Sequence, residues 1–459
     1  MKLSHHIIYQ EIGKEKFPFD EFKIVEEILI IKPLYKIFKK YPNIVTNSRE
    51  IPPNSIFVGL KGRTLDGNEY VNEALKNGAC YAITNNKSFA GIKNVLIVDD
   101  ALKTLQHLSE YHRKQFKIPL LAITGSNGKT TTRELVYCVL SKKFRNIAVN
   151  EKNINTLEGV PRLLLKITSE NDFAVVEMGT DKFGNIKMLC EIAQPDFGLI
   201  TNIGKAHTKF LKEEEGGVSR AKGEMFEFLS LSNGKAFVNT DISEVYSIAK
   251  KHIKEENIVP YNKESYNVVS LPYTDNYFEF MFNGIKVSTK LFGKYNLDNV
   301  LAAIAIGKYF GISDTEIKDA IESYIPENNR SEIRKIKETN NTLFLDCYNA
   351  NPTSMAAALS DFIGREIMNK MLIIGDMYEI EDSDFEHSKI VEAISNSGIN
   401  EIFLVGNEFS NAAMQTNFKC FKSVNELKVY FKDNKIKNRN IFIKGSNGIR
   451  LNEIIENLT

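Results

Sequence analysis

Residues 120–132, Leu-Leu-Ala-Ile-Thr-Gly-Ser-Asn-Gly-Lys-Thr-Thr-Thr, constrain this chain more than any other stretch: an apolar strand runs straight into a glycine-rich turn and a Lys-Thr helix start. Such a turn suits phosphate. Gly125 and Gly128 let backbone N–H groups approach phosphate oxygens, the helix that follows adds the positive end of its dipole, Lys129 neutralises charge, and Thr130 offers a hydroxyl to Mg²⁺. Ser126, Asn127 and Thr131 complete the nucleotide-binding candidates of the loop. The spacing is Gly-x-x-Gly-Lys-Thr, and Ile123 stands where the longer phosphate-loop motif has its first glycine, which argues against a hydrolase that drives motion.

At 459 residues the chain exceeds one ordinary domain, and roughly 150 residues per domain suggests about three. With 59 basic and 58 acidic residues, no bulk charge attracts nucleic acid or a membrane surface. Cys80, Cys138, Cys190, Cys347 and Cys420 are odd in number and widely spaced, so reduced thiols and a cytoplasmic location are expected. No stretch reaches the ~18 uninterrupted apolar residues of a membrane span, and the N-terminus lacks a signal-peptide pattern.

The apolar runs place the rest. Residues 55–60 and 80–84, split by turn-forming residues and a helical stretch at 69–77, read as a small α/β unit. Runs at 173–178, 197–203 and 236–238 alternate with helical patterns, the signature of a parallel sheet with crossover helices. Their C-terminal ends carry Glu177, Asn202, His207 and Asn239, and ligands bind at such strand ends in open parallel sheets. An Asn-Gly hairpin is expected over 277–287 and a helix over 297–309. After a polar turn near 326–330, strands at 342–345, 371–374, 402–405 and 441–443 begin a further doubly wound unit with no G-x-G-x-x-G, which argues against a dinucleotide oxidoreductase. The expectation is an α/β chain of three domains: a small N-terminal α/β domain (1–115), a central parallel-sheet ATP-binding domain (116–326) and a C-terminal Rossmann-like domain (327–459).

Glu177 ends a strand facing the phosphate loop, where a carboxylate is well placed to hold Mg²⁺. His207 follows the next strand beyond a glycine turn, and Lys222 lies on a helical stretch; taken alone, each is an ordinary residue. In order and context, however, 124–131, Glu177-Met178-Gly179, Thr201-Asn202-Ile203-Gly204-x-Ala206-His207 and Ala221-Lys222-x-Glu224 resemble the Mur ligases, the amide ligases of peptidoglycan synthesis. Tyr295-Asn296-Leu297-Asp298-Asn299, Asp346-Cys347-Tyr348-Asn349-Ala350-Asn351-Pro352, Gly375-Asp376-Met377 with His387, and Lys444-Gly445-Ser446 narrow the resemblance to the member that adds D-alanyl-D-alanine to UDP-N-acetylmuramoyl-tripeptide.

The resemblance implies an enzyme of small-molecule substrates that uses ATP and two Mg²⁺ ions, and a monomer is expected. It implies Lys129, His207 and Lys222 as catalytic residues, with Lys222 carbamylated, and Thr130, Glu177, His207 and Lys222 as metal ligands. Asn296 and Asn299 would approach the adenine, and Arg330 and Asp346 would serve the nucleotide from the C-terminal domain. Ser48 and Arg49 would lie near the uridine nucleotide, while Asn153, Asn155, Tyr348, Asn349 and Asn351 would face the substrates. Two rival readings are a related ligase with another acceptor, such as a glutamate-adding folate enzyme, and a catalytically silent nucleotide-binding scaffold. The scaffold would tolerate damage among Lys129, Thr130, Glu177, His207 and Lys222, yet all five keep usable chemistry.

Overall fold

A computed structural model describes residues 27–62, 65–150, 154–205, 208–212, 216–327 and 329–459. The chain forms two compact units, Met1–Lys117 with Leu157–Thr168, and Ile118–Thr156 with Ser169–Thr459. Among the described residues no helix is long and apolar enough to cross a membrane.

In the first unit β1 (Asn43–Val45), β2 (Ser55–Val58), β3 (Tyr81–Thr84) and β4 (Val95–Ile97) form a parallel sheet in that order. All four residues of β2 are buried, as expected of a parallel strand covered on both faces. The short helix Gly159–Leu164 belongs to this unit although it lies beyond the boundary expected at 115, because Leu165 enters the unit's core and Gln106 Nε2 donates to Leu157 O at 3.0 Å. His112 pins the same excursion. Its Nε2 donates to Ile167 O at 2.8 Å, since a carbonyl only accepts, which leaves Nδ1 to accept from the Tyr35 hydroxyl at 3.1 Å.

Burial holds the His112 imidazole below its usual range, partly offset by the Ile167 carbonyl. The unfolded chain therefore takes up a proton that the folded one refuses, and stability is lost as pH falls below about 6.5. Thermal melts of the first unit should drop between about pH 8 and about pH 5, and His112→Gln should flatten that slope. An unchanged slope in the variant would assign the acid sensitivity elsewhere.

The second unit opens with six parallel strands, β5 (Leu120–Thr124), β6 (Ile147–Val149), β7 (Phe173–Glu177), β8 (Phe197–Ile200), β9 (Lys235–Asn239) and β10 (Ile258–Tyr261), in the order β10-β9-β8-β5-β7-β6. The phosphate loop leaves the C-terminal end of the central strand β5, whose residues are all buried. The helix Lys129–Leu140 then packs on the helix Leu297–Tyr309 through one core containing Leu135, Val136, Val139, Val300, Leu301 and Ile304. Each such buried side chain contributes about 1.5–3 kcal/mol, so the loop is carried on a stiff base. A small antiparallel sheet follows, β11 (Val269–Ser270), β12 (Glu279–Phe282) and β13 (Ile285–Ser288), its hairpin turning on Asn283 (φ 45°) and Gly284 (φ 79°).

The remaining sheet is mixed. Its strands β14 (Glu332–Ile336), β15 (Asn341–Asp346), β16 (Lys370–Gly375), β17 (Glu401–Val405), β18 (Lys419–Phe421) and β19 (Asn440–Lys444) lie in the order β14-β15-β19-β16-β17-β18. All pairs are parallel except β14 with β15. Helices cover both faces, with Phe362 and Phe442 in one core and Phe403 and Phe431 in the other.

Candidate functional site

The phosphate loop is forced by geometry on both sides. Gly125 has φ 147° and Gly128 φ 78°; a Cβ would fall 1.8 Å from Thr201 Oγ1 at the first and 2.2 Å from Asn299 Oδ1 at the second. The segment after β8 holds the loop's front half. Asn202 accepts from Ser126 N through its carbonyl and from Asn127 N through Oδ1, both at 3.0 Å, and Thr201 Oγ1 donates to Asn127 O at 2.6 Å. Those amides are taken, whereas the N–H groups of Lys129, Thr130 and Thr131 have no acceptor among the described residues, as a helix's first turn dictates. Lys129 Nζ lies over the loop, donating to Gly125 O at 2.7 Å and to Ser126 O at 3.3 Å.

Beside the loop, Glu177 ends β7 almost fully buried. Its backbone is fixed by Asn150, whose Oδ1 accepts from Glu177 N at 2.6 Å, and its Oε1 accepts from Asn155 Nδ2 at 2.8 Å. Burial holds the Lys129 ammonium below the usual lysine range; the Glu177 carboxylate offsets this and Arg330 adds to it. Lys222 lies on the helix Gly217–Ser232, 2% exposed, with no hydrogen-bond partner among the described residues. That helix sits directly on β8 because Gly198 leaves room for Leu229 and Met225. Burial, reinforced by the charge of Lys129 and opposed by Glu224, drives the Lys222 ammonium well below its ordinary range. These mutual influences bring Lys129, Glu177 and Lys222 into one electrostatic neighbourhood.

On the other flank runs a chain of amides. Thr132 Oγ1 donates to Asn299 Oδ1 at 3.1 Å, Asn299 Nδ2 to Asn296 Oδ1 at 2.9 Å, and Asn296 Nδ2 to Ser331 Oγ at 3.0 Å. Next to Ser331, the Arg330 guanidinium stacks 3.5 Å from the Tyr348 ring centroid. Asp346 accepts from buried Lys444 Nζ at 2.6 Å, and Lys444 also reaches Asn349 O at 3.3 Å, so one ammonium holds the 346–349 turn. Asn351 Oδ1 caps the helix Pro352–Ile363 by accepting from Ser354 N at 3.0 Å, while its Nδ2 donates to Asn127 Oδ1 at 2.7 Å. The phosphate loop is thereby tied to the C-terminal sheet's first helix. Lys205 N adds a second tie, donating to Thr353 Oγ1 at 3.1 Å.

Comparison with known proteins bears on this arrangement. Residues 123–307 match the Mur ligase middle domain, and residues 329–446 match the Mur ligase glutamate ligase domain. A UDP-N-acetylmuramoyl-tripeptide–D-alanyl-D-alanine ligase of Buchnera aphidicola (subsp. Acyrthosiphon pisum) is 32% identical over 429 residues, covering 90% of this chain and 92% of the relative. The chain belongs to the Mur ligase family. The ligase of the same description from Bacillus subtilis is 29% identical over 430 residues, covering 90% of this chain and 92% of its own. A crystal structure of MurF from Acinetobacter baumannii superposes with a TM-score of 0.79 at 26% identity, covering 93% of this chain and 98% of that one.

Against the Mur ligase expectation, the structure brings together Gly125–Thr131, Glu177, Asn155, Lys222, Asn296, Asn299, Arg330, Asp346, Tyr348, Asn349 and Asn351 within the second unit. His207 and Asn153 lie outside the described residues. Ser48 and Arg49 lie in the first unit, where Ser48 Oγ donates to Glu73 Oε1 at 3.1 Å and Arg49 is exposed. Among the described residues no group of three or more His, Cys, Asp or Glu side chains could hold a metal. The Glu177 carboxylate and the Thr130 hydroxyl, which takes no partner among the described residues, are oxygen donors of the kind Mg²⁺ takes.

Thr201, Asn202, Asn150 and Lys444 do as much for the site as the residues singled out from sequence. Asn202 is signalled twice, by its place at a strand end and by the family motif Thr-Asn-Ile-Gly that also holds Thr201, and Lys444 once, by Lys-Gly-Ser. Asn150 had none.

Proposed function

We propose that the chain is an ATP-dependent, ADP-forming amide ligase that joins D-alanyl-D-alanine to UDP-N-acetylmuramoyl-tripeptide in cytoplasmic peptidoglycan precursor synthesis. The observation that carries this reading is the Asn127–Asn351 bond, which couples a phosphate loop to the Tyr-Asn-Ala-Asn-Pro segment that distinguishes this ligase from its sister enzymes. The names borne by the relatives support the same substrates.

A terminal carboxylate oxygen of the tripeptide attacks the γ-phosphorus of ATP, the bond to the bridging oxygen breaks, and ADP leaves an acyl phosphate. The dipeptide amine then attacks the acyl carbon and loses a proton, and the tetrahedral intermediate expels phosphate. Lys129 and the first-turn N–H groups stabilise the charge that develops on the phosphoryl oxygens. Asn296 and Asn299 would approach the adenine, and Arg330 and Asp346 would serve the nucleotide from the C-terminal domain. Thr130 and Glu177 would hold one Mg²⁺, and His207 with carbamylated Lys222 a second; the cations supply charge neutralisation between carboxylate and triphosphate. Lys222 is suited to carbamylation because burial favours its neutral amine, the form that adds to CO₂. Asn153, Asn155, Tyr348, Asn349 and Asn351 would face the reacting groups, and Ser48 and Arg49 the uridine nucleotide. Segment 1–115, together with 157–168, acts as the UDP-substrate domain, the rest of 116–326 as the ATP domain, and 327–459 as a Rossmann-like domain, all of one monomeric chain.

The reading is tested by ATP-dependent phosphate release. The pair UDP-muramoyl-tripeptide and D-alanyl-D-alanine should support it and folate with glutamate should not; release with the second pair alone would move the chain to a different acceptor class.

A further inference from the structure

Arg133 lies one turn beyond Lys129 on the helix Lys129–Leu140, and its side chain is 1% exposed. A guanidinium is rarely buried without a charged partner, since its desolvation costs several kcal/mol. Here Nη1 stands 3.4 Å from Glu177 Oε2, Nη2 donates to Glu134 Oε1, and Nε has no acceptor among the described residues. Packing alone would be served by an apolar side chain, as at the buried Leu135, Val136, Val139 and Leu140 of the same helix.

What the arginine does is seen from Glu177. Asn155, from the loop before the helix Gly159–Leu164, holds Oε1, and Arg133, from the phosphate-loop helix, stands at Oε2. Two anchors from different elements fix the plane of a carboxylate that would otherwise rotate about its last bond. Each carboxylate oxygen accepts in two directions, so each keeps one for another partner. The fork spans two carboxylates, Glu177 at Nη1 and Glu134 at Nη2, which holds the guanidinium in place beside Glu177 where the flexible point charge of lysine would not be held.

We propose that Arg133 is a positioning residue for the divalent cation that accompanies the triphosphate, acting by fixing the Glu177 carboxylate together with Asn155. The proposal rests on the ligase reading above, which puts a cation at Glu177.

Binding of Mn²⁺ to the full-length chain in the presence of ADP, followed by electron paramagnetic resonance, tests it apart from turnover. Arg133→Met should weaken Mn²⁺ binding by about 10-fold, in the range found when an outer partner of a metal ligand is removed, and Arg133→Lys should fall between Met and the parent. If Arg133→Met fails to fold, Arg133→Lys decides: weaker Mn²⁺ binding at an unchanged thermal midpoint supports the proposal. Parent-like Mn²⁺ affinity in Arg133→Lys and in any folded Arg133→Met overturns it. Glu177→Gln separates the two levels: if it binds Mn²⁺ as the parent does, Glu177 is no ligand and the cation assignment falls with the proposal; if it binds weakly while the Arg133 variants bind normally, only the role of Arg133 fails.

Discussion

Lys129→Ala should lower kcat/KM for ATP by at least about 10²-fold, the scale of losing one preorganised charge from a site where phosphoryl charge develops. The ammonium is partly buried, its bonds go to the Gly125 and Ser126 carbonyls of its own loop, and it shares its surroundings with Glu177 and Lys222. Its removal leaves no buried acid without its recorded hydrogen-bond partner, because Glu177 keeps Asn155. The thermal midpoint should therefore move little while turnover collapses. Initial-rate phosphate release with both substrates saturating measures this, and a variant that ligates at the parent rate would remove the loop from the chemistry.

Lys222→Ala should be nearly as damaging, for a different reason. A buried amine with no hydrogen-bond partner among the described residues, pressed toward its neutral form by burial and by Lys129, is a poor structural choice but a good nucleophile toward CO₂. The neutral amine adds to CO₂: an N–C bond forms, one N–H proton is released, and the uncharged nitrogen becomes a carbamate anion beside the proposed cations. Turnover should fall by about 10²-fold or more on the same electrostatic scale, and added formate or acetate, which restores a carboxylate, should return part of it. ¹³C-labelled CO₂ should give a carbamate signal in the parent and none in Lys222→Ala. Full activity in Lys222→Ala, or loss that no small carboxylate repairs together with no carbamate signal, would return Lys222 to the role of a buried helix residue.

The parts of this architecture that the sequence makes legible are local. The phosphate loop, the Asn-Gly hairpin and the helix Leu297–Tyr309 each depend on residues adjacent in the chain, and each lies where its pattern puts it. The fully buried strands β5 and β7 announce themselves as continuous apolar runs. Edge strands do not. β6 has three partly buried residues, β10 carries Pro260, which an edge tolerates, β14 reads Glu-Ile-Arg-Lys-Ile, and β18 is largely exposed, so none shows a run or a clean alternation. The last sheet is doubly wound as its strand spacing suggests, and the antiparallel pairing of its edge strand β14 is the one feature that spacing does not announce.

At the site the same division holds. Lys129 and Thr130 follow from spacing, and Glu177 from its strand end. The bonds that turn separate motifs into one site span long stretches of chain: Asn127 to Asn351, Thr132 to Asn299, Arg330 to Tyr348 and Lys444 to Asp346. No periodicity encodes such a pairing. The family resemblance supplied several of these residues, and the structure supplies the physical reason they are near one another. Arg133 shows the converse, a residue inside the most recognisable motif whose partner, Glu177, is evident only in three dimensions.

The most direct test of the account follows one oxygen atom. With ¹⁸O in the terminal carboxylate of UDP-muramoyl-tripeptide, ATP and D-alanyl-D-alanine, the released phosphate should carry a single ¹⁸O for each amide formed, since that oxygen attacks the γ-phosphorus and departs with it. Phosphate released without label, or released at the same rate when the tripeptide is omitted, would contradict an acyl-phosphate ligase built on this loop.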